Sequence, residues 1–288
     1  MTWLFALVRA AHFASLMGVF GASALLARSA AIGVTGGSLR RAMTAAAVVA
    51  LASAILSAGF VGGEMAGDAW SGFDPAVFAS VATQTTYGAV FLVRCVLLLG
   101  LCALCAADAA PLWKALTAGA ALALIALTSH AAAAGNPAFA TLRMAGDALH
   151  LLAAGFWVGG LVVLAREVVP RIGDAGRLVQ LLHLFSRWGV VSVAVLLIAG
   201  ALDAVAILGN ADMAWSATYI GLLAAKIVLA AVMVALALTN RLGVLPARAR
   251  GEAEARDTIP LTVLAELGAA LLILLIVGLL GLTAPMQM

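Results

Sequence analysis

The chain has 288 residues, of which 65% are hydrophobic and only 10% charged, with a formal net charge of +3. A soluble domain carries about 25% charged residues, and so few polar side chains cannot clothe a globule of this size. A soluble enzyme, a nucleic-acid binder and a disordered chain are excluded at the outset.

A helix needs about 20 apolar residues to cross a hydrocarbon core of roughly 30 Å. Eight runs qualify, at about 3–27, 42–63, 86–107, 112–130, 144–165, 186–209, 217–240 and 259–283. Backbone groups in lipid must be satisfied within the segment, so long apolar runs are helical. The alternation of a membrane β-barrel is missing from them. The first run holds Arg9 and His12 and is too long for a cleavable leader, so it reads as a retained span. Residues 175–185 read either as an interfacial helix or as an extension of the sixth span. The predicted fold is therefore all-α: a polytopic membrane protein with eight transmembrane helices.

Charge in the loops sets the orientation. One set of connections holds Arg28, Arg40, Arg41, Lys114, Arg166, Arg171, Arg177, Arg241, Arg248, Arg250 and Arg256, and the other holds only Arg143. Basic loops stay cytoplasmic, which puts both termini on the outer side of the membrane. Glu64, Asp68, Asp74 and Asp212 fall on that outer side. Trp3, Trp70 and Trp215 mark the outer interface and Trp113 the inner one.

The spans repeat. At an offset of 138, His12 falls on His150, Gly21 on Gly159 and Arg28 on Arg166. At an offset of 132, Thr86-Tyr87 falls on Thr218-Tyr219 and Arg94 on Lys226. Four spans separate the matched segments, so the halves share one orientation, a known membrane repeat type. The expected organisation is two parallel four-helix units, residues 1–130 and 144–288.

Ionisable groups at bilayer depth cost at least about 2.5–3.5 kcal/mol each and mark functional sites. This chain places Arg9, His12, Arg94, Asp147, His150, Asp203 and Lys226 in its spans. At 1.5 Å rise per residue they share a depth of roughly 5–15 Å below the outer surface. Asp147 and His150 are three apart and share a face, which Met144 and Trp157 continue. Gly155 and Gly159 form a small-xxx-small pair that permits close helix approach. A carboxylate beside a histidine fixes its tautomer and raises its basicity.

Repeat symmetry is expected to bring His12 toward His150, with His130 entering from the outer end of the fourth span. Imidazole suits copper, iron, zinc and nickel, and thioether favours Cu(I). The candidate metal ligands are thus His12, His130, His150 and Asp147, beside a charge network of Arg9, Arg94, Asp203 and Lys226. The surplus of cations raises the electrostatic cost of a copper ion and equally suits an anionic group such as a haem propionate. Weaker soft-metal candidates are Met144, Cys102, Cys105, Met286 and Met288; apolar packing accounts better for the two cysteines and a frayed tail for Met286 and Met288. Glu266 reads as snorkelling or pairing near the inner end of the last span. No Gly-rich phosphate loop, His-Glu-x-x-His or serine triad context is found, so no enzymatic centre is assigned.

The stretch Asp147-Ala-Leu-His150-Leu-Leu-Ala-Ala-Gly-Phe-Trp157-Val-Gly159-Gly160-Leu resembles the signature of the copper resistance protein D family of bacterial inner-membrane proteins. Supporting matches are His12, Ser129-His130-Ala131, Thr86-Tyr87-Gly88 running to Arg94, Phe185-Ser186-Arg187, Tyr219 to Lys226, and Asn240-Arg241. The resemblance implies movement of copper from periplasm toward cytoplasm, with a periplasmic copper chaperone as the protein partner in prospect. The family is also similar in fold to four-helix b-type cytochromes, which keeps haem b, with His12 and His150 as axial ligands, as the alternative.

Overall fold

The computed structural model describes residues 2–34, 37–128, 137–167, 175–208, 216–250 and 253–283. The helices are α1 (Thr2–Ser29), α2 (Arg40–Ala66), α3 (Pro75–Gln84), α4 (Thr86–Ala106), α5 (Pro111–Ala123), α6 (Pro137–Glu167), α7 (Ala175–Leu208), α8 (Ala217–Thr239), α9 (Leu245–Ala249) and α10 (Ala253–Leu280). Among the described residues there is no strand. Eight helices are long and apolar enough to cross a membrane: α1, α2, α4, α5 with its 3₁₀ continuation to Thr128, α6, α7, α8 and α10. The chain is a multi-pass helical membrane protein.

Local chemistry sets the helix boundaries. Asp74 accepts from the N–H groups of Ala76 and Val77 at 2.8 and 3.3 Å, and Pro75 opens α3 behind it. Thr85 Oγ1 accepts from Gly88 N at 2.9 Å and starts α4 at once. Gly33 and Gly67 end their helices at φ values of 73° and 77°, where a side chain would be strained. The segment at 175–185 is resolved as an extension: α7 is one continuous helix. The short α3 was not foreseen, because ten residues fall below spanning length. It lies across α2 and α4.

α1 and α6 form the central pair. A Cβ on Gly21 would collide with the Gly155 carbonyl oxygen, and one on Gly159 with the Gly21 backbone. Backbones can meet this closely only where side chains are missing. Phe20 fills the hollow left by Gly119 of α5 and Gly155 of α6. α5 and α10 flank this pair, each packed on both α1 and α6. In the N-terminal half, α1, α2, α4 and α5 close a ring of packed neighbours. In the C-terminal half, α6 packs on α7 and α10 on α8, but α7 and α8 do not form a packed pair among the described residues.

The molecule has two chemically distinct ends. Glu64, Asp68 and Asp74 are exposed at one, together with Trp3 and Trp70. Arg28, Arg40, Arg41, Arg166 and Arg241 are exposed at the other, together with Trp113.

Candidate functional site

His12 follows Arg9 by three residues on α1 and is 6% exposed. It precedes Gly21 by nine residues, which is about 180° around a helix of 3.6 residues per turn. Because Gly21 faces α6, the imidazole is turned the other way, into the N-terminal ring. There its Nδ1 donates to the Ala50 carbonyl at 3.0 Å and lies 3.0 Å from Ser53 Oγ. Arg94 Nη2 donates to His12 Nε2. This network assigns the proton to Nδ1 and leaves Nε2 as the acceptor.

Arg94 is itself buried, and its Nε has no hydrogen-bond partner among the described residues. The Arg9 guanidinium lies against Gly281, just past the end of α10, and 5.7 Å from the Phe5 ring centroid. A helix C-terminus presents carbonyls and a partial negative charge, which gives this cation a favourable seat, with Glu64 as its carboxylate neighbour.

His150 repeats the arrangement on α6. It too precedes the helix contact, at Gly159, by nine residues and so occupies the face turned away from α1. Its Nδ1 is buried with no hydrogen-bond partner among the described residues, and Lys226 of α8 is its charged neighbour. Neither Asp147 nor Lys226 is an isolated charge. Met144 is half-buried on the same helix.

The pocket expected to join His12 to His150 is therefore replaced by two histidines, each on the side of its own half and each beside a cation. The physical reason is helical phase: the glycines that bring α1 and α6 together lie opposite the imidazoles. Among the described residues no three His, Cys, Asp or Glu side chains gather as a metal cage. His130, Met286, Met288 and the side chain of Asp203 lie outside the described residues. Cys105 is fully buried among the core leucines of α4, and Cys102 is partly buried beside them.

A second polar cluster gives Glu266 the pairing that the sequence left as one of two readings, with partners the sequence did not name. Glu266 of α10 is 2% exposed. It accepts from Trp157 Nε1 at 3.2 Å and from Asn240 Nδ2 at 2.9 Å. Thr262 Oγ1 donates to Asn240 Oδ1 at 2.8 Å and completes the chain. The available signal was a lone carboxylate inside the apolar run of α10, one turn after Thr262. The span-five motif now has a physical account. Trp157 bonds Glu266, Gly159 admits α1, and Gly160 leaves room for the Phe185 ring of α7.

Residues 1–138 match the family model for the copper resistance protein D-like N-terminal domain, and residues 179–280 match that for copper resistance protein D. The chain is 35% identical to copper resistance protein D of Pseudomonas syringae pv. tomato over 221 residues, 71% of this chain and 71% of that protein. The chain belongs to the copper resistance protein D family. No solved structure matches it. Family membership gives a copper-related function in the membrane, and the resemblance carried by the span-five motif points the same way. Nothing in the described fold or the comparisons favours haem.

Proposed function

We propose that this chain carries copper across the bacterial inner membrane from the periplasm toward the cytoplasm, with His12 and His150 as separate stations in its two halves. The observation that supports it most is the buried Nδ1 of His150, which has no hydrogen-bond partner among the described residues. A buried imidazole nitrogen without a partner is costly, and copper is a metal that imidazole ligates well. The positive-inside rule assigns the basic end to the cytoplasm, so both histidines lie nearer the periplasmic face, and both termini are periplasmic.

Arg94 and Lys226 decide how the stations work. An adjacent positive charge opposes a bound metal ion, and opposes a divalent one twice as strongly. Monovalent Cu(I) is the form this surrounding tolerates best. At His12 the metal exchanges with Arg94 for Nε2, so Arg94 acts as a gate. Asp147 orients or ligates at the second station, and His130 contributes at the outer mouth. A periplasmic copper chaperone is the donor this orientation requires.

The test is Cu(I) competition binding on the full-length, detergent-purified chain, followed by uptake into proteoliposomes. His12→Ala combined with His150→Ala is expected to lower both affinity and uptake at least about tenfold, or roughly 1.4 kcal/mol. Arg94→Met is expected to tighten binding by a similar factor, because it frees Nε2 and removes a charge. Unchanged copper affinity in the double variant overturns the proposal.

A further inference from the structure

The gap between α7 and α8 is a cavity of about 280 Å³. Val193, Ala194 and Leu197 of α7, Val234 and Leu238 of α8, and Val263 of α10 form its apolar wall. On α7 the lining runs from Leu182 to Leu197, and eleven residue steps separate Leu197 from Ser186, where Arg241 is anchored. That is about 16 Å at 1.5 Å per residue, close to one leaflet of a hydrocarbon core of roughly 30 Å. The flanking faces are also apolar and open: Val190, Val191 and Ile198 of α7 and Ile227, Val228 and Val232 of α8 are exposed. In the N-terminal half the corresponding place is filled, because α2 packs on α4.

The polar groups of this cavity sit at its basic end, and each has a partner. Glu266 and Asn240 satisfy one another together with Trp157 and Thr262. Arg241 Nη1 donates to the Ser186 carbonyl at 3.0 Å and lies 3.2 Å from Ser186 Oγ, which fixes the guanidinium at the mouth. A guanidinium carries five N–H donors, so the fork keeps donors for an anion. Arg187, the next residue of α7, is exposed beside it. An apolar slot one leaflet deep, with no orphaned polar wall and an arginine at headgroup level, matches an anionic phospholipid. It does not match a metal ion, which needs open donors.

We infer that the α7–α8 cavity is a binding site for an anionic phospholipid of the leaflet at the basic end. One acyl chain lies in the slot, and the phosphate is held by Arg241 with Arg187. The inference does not rest on the copper proposal, and its test does not use copper.

The experiment is native mass spectrometry of the full-length protein titrated with phosphatidylglycerol or phosphatidylcholine in detergent. Wild-type protein is expected to retain one phosphatidylglycerol about tenfold better than phosphatidylcholine. Arg241→Gln is expected to abolish that preference. Ala194→Trp, which fills the slot, is expected to cut retention of both lipids at least about fivefold; Leu197→Trp at the deep end does the same and serves if the first variant fails to fold. Equal retention of the two lipids by the wild-type protein overturns the inference. So does full lipid retention by the filled variants, including the case where filling instead dissociates a dimer, which would give this face to a second copy of the chain.

Discussion

The N-terminal and C-terminal halves of this molecule are packed to different completeness among the described residues. In the N-terminal half α2 lies on α4, and His12 is sealed in the ring with both ring nitrogens engaged. In the C-terminal half, among the described residues, α8 packs mainly on α10, α7 and α8 form no packed pair, and His150 Nδ1 is buried without a hydrogen-bond partner. The contrast shows that matching sequences at the level of His, Gly and Tyr do not fix the packing of a half. Packing depends on the small and large residues between helices, and these differ between α2–α4 and α7–α8. A closed half and an open half are also what a carrier needs if one station is to hold its cargo while the other accepts or releases it.

The shared joint is the place to break both halves at once. Gly21→Leu or Gly159→Leu drives a side chain into backbone, and overpacking of this kind costs about 1–3 kcal/mol or more. The expected result is loss of monodisperse protein on size exclusion, with N- and C-terminal halves affected together. A variant that melts like wild type would show that the central contact is not what holds the halves.

The next largest effect is confined to the open half. Glu266→Leu strands the Trp157 and Asn240 donors, at about 1–3 kcal/mol for each buried group left unpaired. Glu266→Gln keeps an acceptor and is expected to lie between the two in thermal denaturation. Equal melting of all three proteins would remove this cluster from the account of the C-terminal half.

Smaller effects sharpen the comparison. Ser53→Ala takes one polar neighbour from His12 but leaves the Ala50 carbonyl, so the closed half is expected to lose at most about 0.5–1.5 kcal/mol. Its check is denaturant unfolding in detergent, together with unchanged copper affinity. Smallest of all, Trp188→Leu removes the ring that lies 4.0 Å from the Arg28 guanidinium, a contact between α1 and α7 at the basic end. About 0.5–1 kcal/mol is expected from a cation over an exposed aromatic face.

Much of the fold could be read from the sequence because bilayer thickness imposes a length on every span. The eight apolar runs and their helices coincide on that account. The glycines of the span-five motif were legible too, since small residues at helix spacing have few uses other than close contact. The short α3 was not, because a cap at the membrane surface obeys no length rule. Glu266 was left between snorkelling and pairing, since nothing in α10 alone names Trp157 and Asn240 as its partners. The direction of the imidazoles was recoverable in principle. Nine residues separate His12 from Gly21 and His150 from Gly159, which places each histidine opposite the contact glycine. Shared depth was read as convergence, whereas depth and azimuth around a helix are independent.

The central claim is that the two histidines serve separate sites, one in each half. The most direct measurement is the number of Cu(I) ions bound per chain in anaerobic equilibrium titrations of wild type, His12→Ala, His150→Ala and the double variant. Two ions in wild type, one in each single variant and none in the double variant is the predicted series. Complete loss of binding in either single variant would mean that the imidazoles share one site and would contradict the account.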